Sequence, residues 1–113
     1  MPAKILSVVG DRTLGATRRE LLQSAGYAVV TTTSVTEALL QLGSTGWDLV
    51  IIGHALPTTE RDLLIKESRA RGVPMLLLHL GEVGLVRNAD FHFDLGDGPE
   101  AFLACVADSL TRQ

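Results

Sequence analysis

Two stretches of this chain, residues 49–52 (LVII) and 75–78 (MLLL), are apolar at every position. They have the length of a strand and fall far short of a membrane span. A strand with no polar side must be covered on both faces, which is the situation in a parallel sheet held between two layers of helices. Residues 4–9 (KILSVV) and 27–32 (YAVVTT) are rich in β-branched side chains and read as two more strands. Residues 91–95 (FHFDL) make a weaker fifth.

Amphipathic stretches separate these runs. Across residues 13–25, Leu14, Leu21, Leu22 and Ala25 fall on one helical face, and Gly26 stands where a helix ends. Ser34-Val-Thr-Glu37 is a capping box, and Val35, Ala38, Leu39 and Leu42 then recur at i, i+3, i+4 and i+7. Pro57 closes the next loop, with Thr58 or Thr59 able to cap a helix that runs to Arg71 before Gly72. Asp97-Gly98-Pro99 opens a last helix whose apolar face is Phe102, Leu103, Val106 and Leu110, with Cys105 against it. Such alternation predicts a doubly wound α/β fold with right-handed crossovers. One connection breaks the pattern. Only the ten residues 81–90, two of them glycine, separate the fourth and fifth strands. A parallel crossover takes about a dozen or more, so the fourth helix is expected to be missing or reduced to a single turn.

A length of 113 residues allows one domain, residues 1–113, with a core that needs no metal or disulfide staple. Thirteen acidic against ten basic side chains give a formal charge of −3, which offers no basic field to nucleic acid or to an anionic membrane. The single cysteine, Cys105, excludes an internal disulfide and suits a reducing, cytoplasmic setting. No leader-like segment precedes the first strand.

The strings KILSVV, ELLQSAGYAVVTTTSVTEALLQL, WDLVIIGHALP and GVPMLLLHL, in this order and spacing, resemble the receiver domain of two-component response regulators. The resemblance extends over nearly the whole chain. It implies a flavodoxin-like, five-stranded parallel sheet of order 2-1-3-4-5. It also implies a phosphorylation site, and here the sequence departs from the family. The acidic pair that holds Mg²⁺ after the first strand is matched by Val9 and Gly10, with Asp11 displaced by one. The phosphoryl-accepting aspartate is matched by Gly53, and the hydroxyl residue ending the fourth strand by His79. The lysine after the fifth strand has no counterpart in FHFDLGDGP. Phosphoryl transfer of this kind needs a carboxylate nucleophile and a cation. Glycine supplies no nucleophile, and one displaced aspartate is a poor anchor for octahedral Mg²⁺. The resemblance therefore implies a degenerate pseudo-receiver, non-enzymatic and without a cofactor. Such a protein would signal by binding a protein partner such as a histidine kinase, receptor or regulator, or a second copy of itself.

The alternative is a small-ligand or anion sensor that uses the crevice at the carboxyl ends of the strands, with Asp11, His54 and His79 around it. The string from Gly10 to Thr17 fits GxxxxG-x-T after a strand, as in a phosphate-binding loop, but Ala16 stands where the lysine is needed. Backbone N–H groups at that helix start are left as an anion-binding feature. Two imidazoles and the Asp11 carboxylate have the chemistry of a transition-metal site, against which stands ordinary packing of histidines. His92 lies inside the fifth strand and reads as packed there. No serine or cysteine sits in a GxSxG elbow, and Cys105 reads as an inert thiol. Lys66, Arg69 and Arg71 form a basic edge of the kind usual near a helix C-terminus. Phe91 and Phe93 share one side of the fifth strand. With a shortened fourth helix, that edge becomes a candidate docking or homodimer surface.

Overall fold

A computed structural model of the chain describes residues 2–44, 46–80 and 89–111. Its strands are β1 (Lys4–Val8), β2 (Ala28–Thr32), β3 (Leu49–Ile52), β4 (Met75–His79) and β5 (Phe91–Asp94). The helices are α1 (Arg12–Ser24), α2 (Val35–Leu42), α3 (Thr58–Ala70) and α4 (Pro99–Thr111), with a 3₁₀ turn at Leu95–Asp97 before α4. The strands form one parallel sheet in the order β2-β1-β3-β4-β5, as the receiver resemblance implies. The expectation of a missing fourth helix falls on residues 81–88, which lie outside the described residues.

The sheet explains why the runs 49–52 and 75–78 carry no polar residue. Successive side chains point to opposite faces, and both faces are covered. Ile5, Leu49, Ile51, Leu76 and Leu78 pack with Leu22 of α1 and with Phe102 and Val106 of α4. Leu6, Val8, Val50, Ile52 and Leu77 pack with Ala38 and Leu42 of α2 and Leu64 and Ile65 of α3. Every residue of β3 is buried. Trp47 leads into this strand. Its indole N–H donates to the Gln41 carbonyl at 2.7 Å, and the Lys4 ammonium lies 4.3 Å from its ring centre.

The helix starts follow the capping chemistry in part. The Ser34 hydroxyl accepts from the Glu37 N–H at 3.4 Å, as the capping box requires. For α3 the cap position is Pro57, which makes no side-chain bond, and Thr58 is already helical. In α4, Ser109 is buried together with Phe102 and Val106, and its hydroxyl donates to the Cys105 carbonyl at 2.8 Å. Leu103, Cys105 and Leu110 are half-buried beside them.

The buried face of α1 differs from the expected one. Gly15, Arg18 and Leu22 turn inward, whereas Leu14 is 42% exposed and Ala25 lies at the exposed cap. The cause is a close approach. A Cβ on Gly15 would stand 2.7 Å from Val9 Cγ2 and 3.2 Å from Thr31 Cγ2. The helix therefore seats on the sheet through its one residue without a side chain. The positions three and seven further along are carried to the same face.

Candidate functional site: the crevice at the carboxyl ends of β1 and β3

The ends of β1 and β3 meet backbone to backbone. The Gly53 N–H donates to the Val8 carbonyl at 2.8 Å, and the buried Val9 donates its N–H to Thr32 at 2.9 Å. Beyond them, a Cβ on Gly10 would stand 2.9 Å from the Ala55 Cβ and 3.0 Å from its carbonyl oxygen. At Gly53 the added Cβ would stand 3.0 Å from the Val8 oxygen. Neither glycine has a positive φ. Both are therefore explained by space, because they let the loops after β1 and β3 lie against each other.

Asp11 is the N-cap of α1. Its Oδ1 accepts from the N–H groups of Thr13 at 2.7 Å and Leu14 at 3.4 Å. This corrects the expectation of an anion-binding helix start, since a carboxylate of the chain itself already takes two first-turn donors. The phosphate-loop reading of the Gly10–Thr17 string meets a further obstacle. The helix begins at Arg12, so Gly15 lies within it as a packing contact with the sheet.

His54 is exposed in the loop after Gly53. His79 is half-buried at the end of β4, where it pairs in register with Asp94 of β5. His92 is half-buried within β5. Among the described residues, no three His, Cys, Asp or Glu side chains come together as a metal-binding group.

Arg18 is the residue that sequence reading missed. It is only 7% exposed, and its Nη1 lies 3.4 Å from the point where a Cβ on Gly53 would stand. Among the described residues its guanidinium has no carboxylate or other hydrogen-bonding partner. Burial pushes its pKa down from the ordinary arginine value, but a guanidinium starts so high that it keeps its charge. The floor of the crevice is thus glycine under a buried cation. The Ser7 hydroxyl, fully buried on the same face of the sheet as Gly53, also lacks a partner, as does the Thr31 hydroxyl beside it in register. The signal for Arg18 was present in the sequence as its spacing from Gly15 and Leu22, but it is visible only when Gly15 is taken as the contact residue.

The aromatic edge is also corrected. Phe93 is 7% exposed, and its ring lies 5.7 Å from that of Phe102 at a tilt of 56°. Helix α4 covers it, so Phe93 offers little docking surface. Phe91 is half-buried against the same core and also lines a cavity with Arg69, Gly72 and Asp90. On the basic edge, Arg71 pairs with Glu67 at 2.8 Å across one helical turn.

No helix among the described residues is long and apolar enough to cross a membrane. No family model matches the sequence, and no curated protein does. Solved structures do match. A response regulator from Chloroflexus aurantiacus shares 25% identity at a TM-score of 0.85, covering 98% of this chain and 99% of that one. A CheY-like receiver domain protein from Methanospirillum hungatei shares 20% identity at a TM-score of 0.83, covering 99% and 96%. The chemotaxis response regulator CheY4 of Vibrio cholerae shares 22% identity at 0.83, covering 96% and 99%. Sheet order, element order and end-to-end superposition agree that this chain has the fold of CheY-like response-regulator receiver domains.

Proposed function

We propose that this chain is a phosphorylation-independent, receiver-like signalling protein that works in the cytoplasm by binding a protein partner and catalyses no reaction. The observation that carries this reading is Gly53. In the resemblance it stands for the phosphoryl-accepting aspartate, and it offers no nucleophile there. The residues around it do not suit the Mg²⁺ that the family's chemistry uses. The Asp11 carboxylate is engaged as a helix cap, and among the described residues the nearest charged group to Gly53 is the Arg18 guanidinium, which repels a divalent cation. The receiver fold itself supports a response-regulator-like role, with a histidine kinase, receptor or regulator as the partner class.

The test is incubation with acetyl phosphate and Mg²⁺, read by intact-protein mass spectrometry. A pull-down from source lysate with and without that treatment accompanies it. The expected result is no phosphoryl adduct and a specific partner retained equally in both conditions. A stable adduct of one phosphoryl group overturns the reading, as does a partner captured only after treatment.

A further inference from the structure

Arg18, whose Nη1 lies 3.4 Å from the point where a Cβ on Gly53 would stand, also lines a groove between α1 and α4. The groove has a volume of about 160 Å³, and Leu14 and Leu21 on one side face Leu95, Pro99 and Phe102 on the other. Among the described residues of that lining, Arg18 is the only charged one. An arginine buried to this degree without a counter-charge is costly to the fold, and here it borders a space accessible from outside. The pairing of one cation with apolar walls selects for a matching ligand. A single guanidinium binds a carboxylate through two parallel N–H···O bonds. The apolar sides favour a hydrocarbon body and disfavour a small, strongly hydrated anion such as phosphate, which would lose water there without gaining partners. The volume matches an apolar cavity of about 150 Å³ that accepts a benzene ring.

We propose that the α1–α4 groove binds a small aromatic monocarboxylate, with Arg18 as the partner of its carboxylate and the groove walls holding its ring. The lining residues of this groove do not include Asp11, His54 or His79. This site does not depend on the partner-binding reading, and the phosphorylation test above leaves it untouched.

The experiment is calorimetric titration of the full chain with benzoate, with its neutral isostere benzamide, and with inorganic phosphate. The same titrations are run on Arg18→Met and Thr17→Trp. The first variant keeps the apolar stem and removes the charge. The second fills the groove from an exposed position of α1. Benzoate is expected to saturate a single site, with benzamide at least about tenfold weaker, as befits loss of a charged hydrogen bond. Arg18→Met should weaken benzoate by a similar factor, Thr17→Trp should weaken it while leaving the thermal midpoint near that of the parent, and phosphate should not compete. Absence of saturable benzoate binding overturns the proposal. So does equal binding of benzoate and benzamide, undiminished binding by Arg18→Met, or displacement of benzoate by phosphate. Should Arg18→Met not fold, undiminished benzoate binding by Thr17→Trp overturns the assignment to the groove by itself.

Discussion

The Arg18 guanidinium lies 3.4 Å from the point where a Cβ on Gly53 would stand. The two positions are therefore coupled, because any side chain introduced at 53 must share space with a buried cation. The absence of a side chain at the end of β3 and the presence of an arginine on the inner face of α1 are two halves of one packing solution.

Gly53→Ala is expected to lower stability by about 1–3 kcal/mol in urea denaturation. Its Cβ would press on the Val8 carbonyl oxygen at 3.0 Å, which is backbone and held by the Gly53 N–H, so it has little freedom to move. Gly53→Asp should lose less than Gly53→Asn at neutral pH, since only the aspartate brings a counter-charge to Arg18. The guanidinium would hold that carboxyl below the usual carboxylate range. The advantage over asparagine is then present above the unfolded aspartate value, about 3.9, and is lost as pH falls through the lower folded value. Equal stabilities of the two variants at pH 7 would show that the guanidinium does not face position 53.

Arg18→Met should raise stability, by up to about 4 kcal/mol, the upper end of the range seen when buried ion pairs are replaced by well-packed apolar side chains. The methionine stem fills much of the same volume and carries nothing that needs a partner. A fall in the urea midpoint would mean that the guanidinium satisfies a partner in the folded state.

Asp11→Ala should cost about 1 kcal/mol through loss of the α1 cap, whereas Asp11→Asn should stay near the parent. Asparagine retains the acceptor oxygen for the Thr13 and Leu14 N–H groups but not the charge. Thermal midpoints of the two variants separate capping from a need for charge at this position. An asparagine variant as unstable as the alanine one would argue for the charge.

Cys105 should react slowly with alkylating agents in the folded protein. Burial pushes its thiol pKa up. The hydrogen bond with Ser109 acts in the opposite direction, and the nearby Asp108 charge adds to the rise. The folded state thus keeps the proton to higher pH than the unfolded chain. The associated stability is full below the unfolded thiol value, about 8.5, and is lost as pH rises through the folded value. Alkylation rates compared between native and urea-unfolded protein across this range provide the check. Native rates equal to unfolded ones at pH 8 would contradict it.

Much of the architecture was legible in the sequence. The runs 49–52 and 75–78, apolar at every position, require cover on both sides, and both strands lie inside a parallel sheet between helix layers. Ser34 and Glu37 announce the start of α2 through a contact three residues apart, which sequence alone can encode. The candidate site was legible only in what it lacks, a carboxylate at position 53.

What occupies that place was decided by tertiary structure. Leucine periodicity assigns α1 a face through Leu14, Leu21, Leu22 and Ala25, of which Leu22 is buried, but a helix docks where its backbone comes closest to the sheet, and Gly15 over Val9 and Thr31 sets that line. The rotation carries Arg18 inward, over a β3 end that is itself pressed to Val8 by strand pairing across more than forty positions of the chain. Hydrophobic period is a property of neighbours along the chain. The closest approach of two backbones depends on which side chains are absent from both, and this is known only once the chain has folded.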